Sequence, residues 1–430
     1  MSASKPPAGS PADLIRGWQV RTLATVFVTY ATYYFCRQNI AAALPAMSLE
    51  LGLDKSQLGQ ITMSLFIGYG LGQLLFGVLG DRLRARYLLL AGMLTSAGLN
   101  VAFAFSRPML PMVLIWGLNG LFQASGFPAC AKTIANWFPP SQRGRVSAIR
   151  GADYPTGAML VTLLSGWLVE YHGWRWAFLI PAAILAASAV HTFLRLRGAP
   201  EHVGLPAIED HRARRRATAS EADEFIGWSY VMTMTLRNWR IWALAAAFFG
   251  LTVTRYGFGI WALTYITEQG ASVSRAAAIS AVIWAGGIVG NVIAGYGSDV
   301  WFGRRRAPIV VIMLAALAAL TAVFRLVPVE STWLLAAYLA AVGACTYGPD
   351  MMICHTMAMD IATRKATATA GGFIDFFGSM GAALTVALSG HLAEAAGWSA
   401  AVAVWTAGAA MAAILVAVMW NVRGGEGEYL

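Results

Sequence analysis

The chain has 430 residues, of which 58% are hydrophobic and only 12% charged, and its mean hydropathy is +0.59. That balance excludes an ordinary soluble domain, whose charged share is about twice as large. A formal net charge of +10 would suit a nucleic-acid partner, but the placement of the charges argues against one.

Apolar runs long enough to cross a bilayer recur twelve times, separated by short polar joints. The first six are expected at Thr22–Leu44, Gln57–Leu79, Tyr87–Ala104, Pro111–Phe138, Val146–Val169 and Trp174–Leu194. The second six follow at Ile241–Thr267, Ala276–Tyr296, Ala307–Leu326, Thr332–Met357, Ala366–Ala395 and Ala400–Asn421. The fold class is therefore an all-α membrane protein with twelve transmembrane helices in two pseudo-symmetric six-helix bundles. The expected division is a tail over 1–21, a first bundle over 22–194, a polar linker over 195–240, a second bundle over 241–421 and a tail over 422–430. A short surface helix is expected within the linker, around Ala217 to Phe225.

With a cytoplasmic N-terminus, the dense basic clusters all fall on the cytoplasmic side. They are Arg82, Arg84 and Arg86; Arg143 and Arg145; Arg212 and Arg214 to Arg216; Arg304 to Arg306; and Arg364 with Lys365. The other side holds scattered Lys55, Arg107, Arg275 and Arg325. This is the positive-inside asymmetry, so the basic balance reports topology. Both termini are expected in the cytoplasm of a cell bounded by this membrane, the plasma membrane or, in a Gram-negative cell, the inner membrane. No nucleic-acid partner is expected. The N-terminal stretch carries Pro6 and Pro7 and lacks the apolar core of a secretory signal. Cys36, Cys130, Cys345 and Cys354 all lie within spans without metal or CxxC spacing, so neither a disulfide framework nor a metal site is expected.

Inside the first span stands Arg37, in Tyr33-Tyr34-Phe35-Cys36-Arg37-Gln38-Asn39. An arginine at membrane depth costs at least about 2.5 kcal/mol on insertion scales, so it faces protein or a water-filled path. Its planar fork suits a phosphate or carboxylate; a buried acid that merely neutralises it is the structural alternative.

The two halves repeat each other. Leu164-Ser165-Gly166, Leu168, Glu170 and Gly173-Trp174 recur as Leu388-Ser389-Gly390, Leu392, Glu394 and Gly397-Trp398, displaced by 224 positions. Gly77, Gly80 and Asp81 before Arg82, Arg84 and Arg86 recur, displaced by 218, as Gly295, Ser298 and Asp299 before Arg304 to Arg306. The same displacement of 218 carries Arg37 onto Arg255, an arginine in the middle of the seventh span. One arginine per half, facing each other near the midplane, is the layout of a transporter that binds its cargo between two repeats.

The stretch Gly77-Val78-Leu79-Gly80-Asp81-Arg82-Leu83-Arg84-Ala85-Arg86 resembles the loop motif of the major facilitator superfamily, where a carboxylate and arginines at helix ends hold one alternating-access state. Gly77, Asp81, Arg82, Arg86 and the repeat's Asp299 are accordingly the candidate gating residues. Within that superfamily the chain resembles the organophosphate:phosphate antiporters, carriers of glycerol-3-phosphate and hexose phosphates. The resemblance rests on the Arg37 stretch, Gly126-Phe127-Pro128-Ala129-Cys130-Ala131-Lys132-Thr133, Trp137-Phe138, Arg143-Gly144, Pro200 to Pro206, Thr254-Arg255-Tyr256-Gly257 and Tyr347-Gly348-Pro349, and so covers nearly the whole chain. It implies that Arg37 and Arg255 clamp a substrate phosphate and that Tyr30, Tyr34, Tyr69 and Tyr347 surround it. Aromatic packing with a hydroxyl partner is the alternative for each tyrosine.

Where glycerol-phosphate carriers of this family have two lysines and a histidine, the chain has Gln38, Gln73 and Asp153, so the pocket loses positive charge and gains an acid. Arg150, three residues before Asp153, could neutralise it. Asp350 and Asp375 add acids at membrane depth in the second half. These carboxylates could bind a substrate amine or couple transport to protons. No Walker lysine, nucleophile elbow or zincin helix occurs, so neither an enzyme nor a cofactor is expected. The leading expectation is a monomeric secondary transporter of an organophosphate or related organic phosphorus anion, exchanged for inorganic phosphate. The alternatives are a proton-coupled carboxylate symporter and a transporter-like receptor that senses a sugar phosphate.

Overall fold

The computed structural model describes residues 11–139, 142, 146, 149–206, 208, 236–303, 305–361 and 367–421. The described residues form helical rods in twelve spans with no strand among them. The surface-helix expectation at Ala217 to Phe225, the clusters around Arg143, Arg212 and Arg364, and both tails beyond these limits lie outside the described residues, as do the surroundings of Gly77 and the side chains of Asp81 and Arg82.

Eight of the described spans are long and apolar enough by themselves to cross a membrane. The four that fall short are the first, second, fifth and tenth, which carry Arg37, Gln73, Asp153 and Asp350. A helix that buries polar groups in lipid must pass them to protein partners.

The first span is broken. A helix over Pro11–Tyr33 tightens into a 3-10 turn at Tyr34–Cys36 and resumes at Ile40–Leu51. The break frees backbone groups that lipid cannot satisfy. Side chains of the first half do so instead: Asn119 Nδ2 and Asn100 Nδ2 donate to the Cys36 carbonyl at 2.8 and 3.3 Å. Asn39 Nδ2 in turn donates to Asn100 Oδ1 and to the Ala177 carbonyl. Ser96 and Gln123 extend this buried amide network.

The seventh span carries the matching irregularity. Its helix Trp239–Tyr256 passes through a π turn at Gly257–Trp261 before Ala262–Glu268. The tenth, Thr332–Met351, runs into a second π turn at Met352–Met357. Such turns release carbonyls from the regular ladder and are frequent at functional sites. One of them, Gly259 O, accepts from Gln38 Nε2 at 2.5 Å, joining the two halves beside both helix breaks.

The fifth span departs from expectation. Its regular helix is Asp153–His172, after a turn at 151–152, so Asp153 opens the helix instead of lying several residues inside a span from Val146. The free N–H groups of a first turn attract a carboxylate, and Asp153 Oδ1 accepts from the Tyr154 N–H at 2.7 Å.

The halves close on each other at the end opposite the linker, and the sequence repeat builds that closure twice. The second helix, Lys55–Arg82, is capped by Asp54 in a reciprocal box with Gln57, and the eighth, Val273–Val300, is capped by Ser272, 218 positions on. Glu394 of the eleventh helix, Thr367–Ala395, reaches the first turn of the second helix, accepting from the Lys55 N–H at 3.3 Å. Glu170 of the fifth helix reaches the first turn of the eighth, accepting from the Ser274 N–H at 2.6 Å. One turn earlier the motif's glycines lie in close contact with the opposite half. A Cβ on Gly390 would stand 2.2 Å from the Lys55 carbonyl oxygen, and one on Gly166 would stand 2.2 Å from Ala277 Cβ. Lys55 adds ion pairs to Glu268 at 3.1 Å and Glu394 at 3.9 Å.

Candidate functional site

The two broken helices bring Arg37 and Arg255 to the interface between the halves. Arg37 sits at the end of the 3-10 turn, 8% exposed. Its guanidinium lies 4.3 Å from the ring centre of Tyr69, 5.3 Å from Tyr34 and 5.7 Å from Phe66. Ring faces stabilise a cation by cation–π attraction without neutralising it. Among the described residues its guanidinium makes one hydrogen bond, which crosses the interface, Nη2 donating to Tyr256 Oη at 3.2 Å.

Arg255 lies in the last turn before the π turn. It packs against Tyr347, Tyr256 and Tyr154 at 4.9, 5.0 and 5.5 Å from their ring centres. Unlike Arg37 it has an acid: Nη1 donates to Asp350 Oδ1 at 2.6 Å, with both side chains about nine-tenths buried. Its buried Nε makes no hydrogen bond among the described residues. Asp350 also accepts from Tyr154 Oη of the first half at 3.4 Å. Tyr34, Tyr154, Trp284 and Tyr347 form a continuous aromatic wall, with neighbouring ring centres 5.3 to 6.5 Å apart.

Of the residues singled out in the sequence, Arg37, Arg255, Tyr34, Tyr69, Tyr347 and Asp350 meet in this one cluster. Tyr30 stands at its edge, 6.2 Å from Tyr34, with the Arg150 guanidinium 5.2 Å from its ring centre. Gln38 is taken up by Gly259 O. Gln73 donates to Asp375, tying the second helix to the eleventh. Asp299 pairs with Arg306 at 2.5 Å beside Ser298, whereas Arg86 packs on Tyr87 and Phe193 and donates to the Tyr87 hydroxyl.

Three contributors escaped the sequence reading. Tyr256 bridges to Arg37, Tyr154 bridges to Asp350, and the amides of Asn39, Asn100 and Asn119 hold open the break that presents Arg37. Tyr256 and Tyr154 adjoin Arg255 and Asp153 in the chain, which is the one signal that could have marked them. Buried asparagines in an apolar run were a second signal, since a buried amide needs a partner.

Asp153 is 1% exposed, and its carboxylate is occupied: Arg150 Nε donates to Oδ2 at 3.2 Å and the Tyr154 N–H to Oδ1. Removing one member of a buried ion pair leaves a buried charge unpaired, at about 3–5 kcal/mol. Asp153→Asn is therefore expected to lower thermal stability by about 3 kcal/mol and to weaken all substrates alike, read by unfolding of the detergent-solubilised protein. An unchanged melting temperature with altered substrate preference would instead place Asp153 on the cargo.

Residues 26–349 match the family described as Major Facilitator Superfamily. A probable hexose phosphate transport protein of Chlamydia trachomatis is 31% identical over 417 residues, covering 94% of this chain and 91% of its own. The chain belongs to the major facilitator superfamily and, within it, to the organophosphate:phosphate antiporter family. A glycerol-3-phosphate transporter of Bacillus subtilis is also 31% identical, over 92% of this chain and 91% of its own. The membrane sensor protein UhpC of Escherichia coli is 27% identical, over 95% and 93%. Among solved structures, an inward-facing, occupied bacterial homologue of the human lysosomal transporter Spinster superposes with a TM-score of 0.72 at 16% identity, covering 93% of this chain and 96% of its own; that likeness concerns the fold.

Proposed function

We propose that this protein is a secondary active transporter that carries an organophosphate or related organic phosphorus anion between its two halves by alternating access, in exchange for inorganic phosphate. One observation carries the reading: two buried arginines, one per half, meet at paired helix breaks inside a shared wall of tyrosines. Planar guanidinium forks bind phosphoryl oxygens in pairs, and tyrosine hydroxyls supply neutral donors beside them. The relatives, named as hexose-phosphate and glycerol-phosphate transporters, support the cargo class. Clamping at the end away from the linker, by Glu394 on the Lys55 N–H and Glu170 on the Ser274 N–H, supports a state closed there, while the dense arginine clusters lie at the linker end. The positive charges at that end make it cytoplasmic, in a plasma membrane, with the carrier acting as a monomer.

Proteoliposomes loaded with inorganic phosphate are expected to take up labelled glycerol phosphate or sugar phosphate without a pH gradient, and a protonophore is expected to leave the rate unchanged. Uptake that ignores internal phosphate and collapses with the protonophore would instead assign a proton-coupled symporter. The sensor relative motivates the receptor reading; uptake by the purified protein alone decides against it.

A further inference from the structure

The charges around the central site separate into two closed pairs and two open ends. Arg255 is paired with Asp350 and Arg150 with Asp153. Arg37 has no carboxylate within ion-pair distance among the described residues; its partners are aromatic faces and the Tyr256 hydroxyl. Asp375, half-buried on the eleventh helix, has no cation within that distance among the described residues; its partner is the neutral amide of Gln73. Among the described residues, one positive and one negative group thus stand without a partner of opposite charge at membrane depth, where an unpaired charge is costly.

They are also neighbours. Tyr69, whose ring lies under Arg37, precedes Gln73 by four residues on the second helix, and Gln73 holds Asp375. Residues four apart share a helix face at about one turn, 5–6 Å. Arg37 and Asp375 therefore mark the two ends of a short stretch along one face, opposite in sign and separated by an aromatic ring and an amide. The Gln73 amide cannot neutralise Asp375; it fixes its direction. A purely anionic cargo would satisfy Arg37 and be repelled by Asp375, whereas one bearing its own cation would satisfy both.

We propose that the cargo is zwitterionic, a phosphoryl group joined by a short chain to an ammonium, with the phosphoryl end on Arg37 and the Arg255 fork and the ammonium on Asp375. The assignment rests on the phosphorus-anion reading above and narrows it. Asp375 is the residue that sets specificity, because an ion pair made by one ligand alone supplies the discrimination. Asp153, its carboxylate already occupied, takes no part.

Matched ligands test this: 2-aminoethylphosphonate against ethylphosphonate, and phosphoethanolamine against ethyl phosphate, with affinities measured by calorimetry on the full chain in nanodiscs. The wild type is expected to favour the amine-bearing member of each pair at least about tenfold, the range of one charged hydrogen-bonded contact. Asp375→Asn, which keeps a partner for Gln73, is expected to erase that preference and bind the amine-free member as well as or better than the wild type. Should it bind neither member, Asp375→Glu decides: a retained amine preference upholds the proposal and its loss overturns it. Equal wild-type affinity within each pair overturns the zwitterion assignment and leaves the phosphorus-anion reading standing. Failure of the wild type to bind any of the four compounds overturns both.

Discussion

Replacing Arg37 or Arg255 by lysine is expected to cut uptake by roughly 100-fold or more while leaving the chain folded. Lysine keeps the charge but not the planar fork that grips two oxygens at once. Charged hydrogen bonds are worth about 1.5–3 kcal/mol each, and every 1.4 kcal/mol is a factor of ten. The two sites should differ in stability. Arg255→Lys still offers Asp350 a cation, so that pair survives in altered form. Arg37→Lys removes no acid pair, and only the aromatic packing and the bond to Tyr256 change. Counterflow of labelled substrate in proteoliposomes, with melting temperatures measured in parallel, reads both quantities. Full uptake by both variants would falsify the arginine clamp.

The second large effect is expected from Gly390→Val and Gly166→Val. Each glycine lies where a helix of one half touches a helix of the other, and the added Cβ meets the Lys55 carbonyl or Ala277 Cβ at 2.2 Å. Neither neighbour can rotate away, so the halves must part at that end. The bonds that hold this end are weak: exposed caps and ion pairs contribute only about 1 kcal/mol apiece. They cannot pull a wedged interface shut, and transport should stop in a folded protein held open at the end away from the linker. A cysteine placed at position 56 or 272 should then react faster with an impermeant maleimide. A within-half glycine gives the contrast. A Cβ on Gly343 would stand 1.9 Å from the Ile283 carbonyl oxygen, both in the second half, so Gly343→Val should instead reduce the yield of folded protein. If the wedge variants transport normally, this end does not need to seal.

Much of the fold and the centre of the site could be read from residue order, for a physical reason. Lipid forces every backbone bond to be made within a helix, so apolar run length translates directly into spans. An intramembrane arginine is costly enough that two of them, 218 residues apart in a repeated sequence, point to one place. What remained hidden depends on contacts between distant spans. The repeated Gly-x-x-x-Glu motif was visible as a repeat, yet its role as a cap on the opposite half's helix is a tertiary fact. For Asp153 the sequence offered both a cargo role and pairing with Arg150, and residue order alone could not show that Arg150 and a backbone N–H both reach its oxygens. Tyr256 gave no sign of reaching Arg37, because only the π turn and the 3-10 turn together bring them within 3.2 Å.

The central site holds three arginines, Arg37, Arg150 and Arg255, and three aspartates, Asp153, Asp350 and Asp375, so its formal charges cancel. A charge carried across a membrane works with or against the voltage by about 2.3 kcal/mol per 100 mV. A binding site of zero net charge moves through that field without electrical work when empty. The voltage dependence of the cycle is then set by the cargo alone. The site itself then adds no electrical work to either half of the exchange, and any current the carrier generates counts the charge of what it carries in minus the charge of what it carries out.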